Sequence, residues 1–110
     1  MKLQEKGHTV TIKDTQADAV VFLEKFSAEY NSFKDKNIIL DLSGQEGLSL
    51  NGVLGFLALS DKHRKAKHSF VLVVKGFDID EAPEELIIVP TVQEAHDVIE
   101  MEEIERDLGF

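Results

Sequence analysis

Hydrophobic and polar positions along this chain switch between two periods, and the switches mark its elements. In residues 2–13, Leu3 and Glu5 alternate, Lys6-Gly7-His8 supplies a turn, and Thr9-Val10-Thr11-Ile12 is β-branched with period two, so a β-hairpin is expected. The period then changes. Ala19, Phe22, Leu23, Phe26, Tyr30 and Phe33 recur at helical spacing, which predicts a helix capped by Asp14 or Thr15 that runs to about Phe33 and buries this aromatic stripe. Residues 37–43 form a nearly continuous apolar run, as expected of a central strand covered on at least one face. A second helix is expected over residues 50–65, with Leu50, Val53, Leu54 and Leu57 on one face and Gly52, Phe56, Leu59 and His63 on another.

Two further apolar runs, residues 69–75 and 86–89, read as strands, the second closed by Pro90. The ten residues between them leave room for only a turn or two of helix. Thr91-Val-Gln-Glu94 has the form of a capping box, Thr at the N-cap and Glu three residues on, and starts a last helix over residues 91–108 with Gly109 as its stop. The order hairpin, helix, strand, helix, strand, short helix, strand, helix predicts an α/β fold. A mixed sheet of four to five strands would carry about four helices, as a single domain over residues 1–110.

Composition narrows the function classes. With no cysteine, disulfides, thiolate metal sites and cysteine nucleophiles are excluded. No run approaches the roughly 18 apolar residues of a membrane span, and the first six residues lack an apolar signal-peptide core, so a cytoplasmic location with no membrane partner is expected. The net charge of −9 argues against a nucleic-acid partner. Its distribution is uneven: residues 1–75 hold eleven Lys/Arg against nine Asp/Glu, and residues 76–110 hold one Arg against twelve acids. That acidic end is either a solvated helix face or a docking surface for a basic partner. His8, His63, His68 and His96 make no metal-binding signature, and no phosphate loop or catalytic triad spacing is present, so neither catalytic residues nor a cofactor are expected. The basic run from Lys62 to His68 falls where a helix C-terminus would gain from cations.

The stretch from Asn37 to Leu54, a buried strand Ile38-Ile-Leu-Asp-Leu-Ser43 followed by a polar loop and a helix start at Asn51-Gly52, resembles the centre of a STAS domain, the sulfate-transporter and anti-sigma-antagonist family. The strand Val71-Leu-Val-Val74 supports the resemblance, which extends from about residue 10 to 95. In that family the loop reads Asp-Ser-Ser-Gly, and its second serine is a phosphorylation switch. The matching positions here read Ser49-Leu50-Asn51-Gly52, so Asn51 stands where the phosphorylated serine would be and cannot take its place.

The resemblance implies a non-catalytic regulatory binding module without its switch, with an anti-sigma factor or kinase-like ATPase as partner. The contact surface would be Ser49, Leu50, Asn51, Gly52, Phe56 and Leu59, with Phe56 and Leu59 alternatively packed under a neighbouring helix. The last helix supports another reading. Val92, Ala95 and Ile99 fall on one side while Met101, Ile104 and Leu108 fall on nearly the opposite one. Either the helix bends, or its final turns leave the body and offer Met101, Ile104, Leu108 and Phe110 to another chain, as in a scaffold subunit or a weak homodimer.

Overall fold

In a computed structural model, which describes residues 1–15, 18–45 and 48–109, the hairpin is made of β1 (Lys2–Lys6) and β2 (Thr9–Lys13), turned at Gly7 with φ of 60°. Helix α1 (Ala19–Glu29) passes into a 3₁₀ turn over Tyr30–Ser32 and then β3 (Asn37–Asp41). Next come α2 (Leu50–Leu54), α3 (Leu57–Lys65), β4 (Phe70–Val73), a 3₁₀ turn over Ile79–Glu81, β5 (Ile87–Val89) and α4 (Val92–Asp107). The expected short helix between the last two strands is thus that single 3₁₀ turn. The sheet is five-stranded and mixed, in the order β1-β2-β3-β4-β5, with β1 antiparallel to β2 and all other neighbours parallel.

Because the strands from β2 to β5 lie side by side in chain order, every crossover steps in the same direction. Crossovers of the usual right-handed sense then fall on one face of the sheet. The packing follows this rule. Val10, Ile12, Ile38, Leu40, Phe70, Leu72 and Ile88 point to one side, where Phe22, Phe26, Tyr30, Val53, Phe56 and Leu86 from the crossovers meet them. The residues between them in the strands, Ile39, Val71 and Val73, point to the other side, where α4 covers them through Ala95 and Ile99 with Val92 and Val98 beside. A strand buried on both faces shows no alternation, which is why β3 and β4 read as unbroken apolar runs.

Two helix boundaries differ from expectation. The cap of α1 is Asp18, whose carboxylate accepts from the amides of Val20 at 2.9 Å and Val21 at 3.3 Å. Asp14 instead accepts from the side chain of Gln45, and both are buried. The helix expected over residues 50–65 is broken after Leu54, and Phe56 begins its second part. Around this break α2 runs close to α1: a Cβ on Gly55 would stand 3.1 Å from a methyl of Leu23.

Across the break the buried side is Val53, Phe56, Ser60 and His63, spaced as one helical stripe. Two of the four are polar, so an apolar-only periodicity splits the stripe and assigns Leu54 to the core in its place; Leu54 is 36% exposed. The Ser60 hydroxyl is fully buried and meets no hydrogen-bond partner among the described residues. An unpaired buried hydroxyl costs about 1 kcal/mol or more. Ser60→Ala is therefore expected to raise unfolding stability by about 1 kcal/mol, read as a higher urea midpoint at unchanged slope; a lower midpoint would show that the hydroxyl has a partner.

The end of α3 is also the chain's one non-glycine residue with positive φ among the described residues, Lys67 at 71°. The amide of Lys67 donates to the Arg64 carbonyl and that of His68 to the His63 carbonyl, the pairing of a Schellman cap, where glycine is usual.

Candidate functional site

The strand β3 delivers the chain to the C-terminal edge of the sheet, where Asp41 accepts from the amide of Ser43 at 3.0 Å and turns it. After the loop, the Ser49 hydroxyl accepts from the amide of Gly52 at 3.2 Å and caps α2. Such a cap satisfies one of the helix's free amides. Ser49 and Asn51 are exposed; Leu50 and Gly52 are half-buried. A Cβ on Gly52 would come within 2.8 Å of a methyl at the tip of the Leu48 side chain, which would have to shift to admit it.

Phe56 does not belong with them. It is completely buried, with its ring 6.4 Å from that of Phe22, and the expectation of an exposed Phe56 patch is corrected. Leu59 is half-buried against the same core. The apolar side chain that does stand beside Asn51 is Leu54, three residues on. Its signal in the sequence, an apolar residue out of step with Val53, Phe56 and His63, becomes readable only once Ser60 and His63 are known to face inward.

His63 anchors the other end of this helical pair. Its Nε2 lies 2.6 Å from the carbonyl oxygen of Lys36, which can only accept, so Nε2 carries the proton. Nδ1 then accepts from the Tyr30 hydroxyl at 2.7 Å. Burial pushes the imidazole down to about 4; the Lys36 carbonyl opposes this, and the neighbouring His68 and Arg64 add to it. Burial likewise raises the Tyr30 phenol. His63 is consequently a neutral core residue rather than a cation at the helix end, where Lys62 and Lys65 can still offset the dipole. Arg64 turns inward instead, to Glu102 and the Phe70 carbonyl.

That contact belongs to a polar network holding the second half of α4. Asn37, the first residue of β3, donates to Glu103 at 2.7 Å and accepts from the amide of Ser69 at 2.9 Å and from Arg106 at 3.4 Å. Glu102 accepts from the Ser69 hydroxyl at 2.6 Å and from Arg64 at 3.1 Å. The helix is capped as expected, the Thr91 hydroxyl accepting from the Glu94 amide at 3.1 Å, and it stops at Gly109 with φ of 84°. It neither leaves the body nor needs apolar anchors in its last turns. Its inward side there is Glu102, Glu103 and Arg106, and its outward side carries Met101, Ile104 and Leu108, which are 63%, 54% and 67% exposed. Phe110 lies outside the described residues.

The loop at Ser49–Asn51 and the outer face of α4 are therefore separate surfaces, at opposite ends of the strands and on opposite faces of the sheet. Among the described residues no group of three or more His, Asp or Glu side chains could hold a metal ion, and no helix is long and apolar enough to cross a membrane. Neither a protein-family model nor a curated protein matches the chain at a significant level.

Proposed function

We propose that this protein is a non-catalytic regulatory binding module of the anti-sigma-antagonist kind, acting in the cytoplasm through the turn at Ser49, Leu50, Asn51 and Gly52 together with Leu54. The observation that carries this reading is the division of labour at the start of α2. The Ser49 hydroxyl is taken up by the Gly52 amide, while the Asn51 side chain stands exposed on the same turn with no hydrogen bond to it among the described residues, next to a partly exposed apolar side chain. The turn thus offers a partner one polar group and one apolar side chain side by side.

The resemblance of the Asn37 to Leu54 stretch to STAS domains supplies the partner class, an anti-sigma factor or a related kinase-like ATPase. An asparagine is neutral and offers no hydroxyl to phosphorylate, so the module is held in the form that binds. It answers to the partner's state rather than to its own modification.

Affinity capture from the native cytosol tests this, with the full chain as bait beside the variants Asn51→Asp and Leu54→Asp. A kinase-like ATPase should be recovered by the parent chain, and its dissociation constant, measured by calorimetry, should rise at least about tenfold in each variant, the loss typical of a contact at the centre of an interface. Asn51 is on the surface, so its substitution should hardly move the thermal midpoint; Leu54 is 36% exposed, so its variant is assayed only with a parent-like circular dichroism spectrum. Recovery of such a partner at undiminished affinity by Asn51→Asp would remove the turn from the interface, and recovery of none would remove the reading.

A further inference from the structure

The outward side of α4 has the spacing of a short heptad seam. Asp97, Met101, Ile104 and Leu108 follow one another at intervals of four, three and four residues, the alternation of core positions in paired helices. The last three are among the seven large hydrophobic side chains most exposed among the described residues, of which no other helix carries a group of this size on one face. The positions that flank such a seam are Glu100, Glu105 and Asp107, all exposed. Each acidic flank stands next to the apolar row, where in paired helices it would meet a charge on the partner.

The inward side of the same turns is occupied by the network of Asn37, Ser69, Arg64, Glu102, Glu103 and Arg106. The helix is thereby fixed with its apolar row pointing to water, which removes the usual explanation that such residues are waiting to fold inward. A contiguous exposed apolar row rimmed by charge marks an interaction surface.

The flanks decide the occupant. If a second copy docked along the same seam in parallel, Glu100 would face Glu105 of the other helix; if antiparallel, Glu100 and Asp107 would face acids again. Like charges at these positions oppose pairing. We infer that the Met101, Ile104 and Leu108 face of α4 docks an amphipathic helix whose own seam is apolar and whose flanks are Lys or Arg, a partner of opposite charge rather than another copy of this chain. This surface does not depend on the Ser49–Asn51 turn, and the reading given for that turn stands or falls without it.

The test uses the full chain and three labelled synthetic helices of equal length, followed by fluorescence anisotropy. One has leucine at its seam and lysine at its flanks, one leucine with glutamate flanks, and one serine at the seam with lysine flanks. The first should bind and the other two should bind at least about tenfold more weakly, because apolar contact and opposite charge are both needed. Affinity for the first should fall with added salt. The double variant Ile104→Ser, Leu108→Ser, with an unchanged circular dichroism spectrum, should lose at least about tenfold of it, whereas Asn51→Asp should lose none.

Equal binding of the serine-seam helix would reduce the contact to charge alone and overturn the proposal, as would equal binding of the glutamate-flanked helix or binding of none. Sedimentation equilibrium of the unmixed chain closes the remaining route. A dimer that the double variant dissolves would make the occupant a second copy and overturn the proposal; a monomer in both supports it.

Discussion

Phe56→Ala should lower the unfolding free energy by about 3–5 kcal/mol, and Phe56→Asp should leave no folded protein to assay. The first figure follows from deleting a fully buried ring: the transfer free energy is lost and a cavity remains that the surroundings fill only in part. Phe56 sits where α2 gives way to α3, with Val53 on one side and the Phe22 ring on the other, so neither helix can close the gap without moving the break between them. For a protein of this size total stability is about 5–15 kcal/mol. Introducing a carboxylate at the same place adds the cost of an unpaired buried charge to the lost packing and exceeds most of that range. Urea unfolding of the alanine variant and a circular dichroism spectrum of the aspartate variant check both statements. Wild-type folding of Phe56→Asp would mean that this ring lies at a surface.

The second large effect is a dependence of stability on pH that His63 imposes. As pH falls through the ordinary histidine value near 6.5, the unfolded chain takes up a proton at this position while the native state does not until about 4. The unfolded state binds more protons over that interval, so stability decreases as pH falls across it, and the loss levels off below the native value. A displacement of this size corresponds to about 3 kcal/mol. His96, lowered by burial and by the nearby Lys6, acts in the same direction. Urea midpoints between pH 7 and 4 should therefore decline. The variant His63→Gln retains both a donor for the Lys36 carbonyl and an acceptor for Tyr30, and it should show a clearly shallower decline. An identical decline in both would assign the effect to other groups.

The strands, the last helix and the mixed character of the sheet were legible in the sequence because their signals are local. β3 and β4 are buried on both faces and read as unbroken runs; Thr91 and Gly109 bracket α4 as residue chemistry says they should. The candidate site was legible in part. Asn51 and Ser49 lie on the surface at a helix start, but Phe56 does not, and the reason is specific. The inward stripe of α2 and α3 contains Ser60 and His63, and a search for apolar periodicity cannot see a stripe that is half polar.

The last turns of α4 went unread for a related reason. What holds them is a set of hydrogen bonds from Asn37, Ser69 and Arg64 to Glu102 and Glu103 and from Arg106 to Asn37, contacts between residues as many as 69 positions apart. Charged residues in sequence show only that a helix is acidic. Which of its acids face inward depends on donors supplied by β3, by α3 and by the residue before β4.

The division of the sheet between three crossovers on one face and a single helix on the other also sets an order of assembly. On a ribosome all five strands emerge before α4 does. For that interval Ile39, Val71 and Val73 form a bare apolar strip on an otherwise finished sheet, a surface prone to capture by other nascent chains. The strip is closed only when Ala95 and Ile99 arrive, and it is locked only when Glu102, Glu103 and Arg106 reach Asn37 and Ser69. A premature stop within α4 would thus yield a chain with its main core built and a sticky face left open, and the cell's chaperones and proteases would meet it before any partner could.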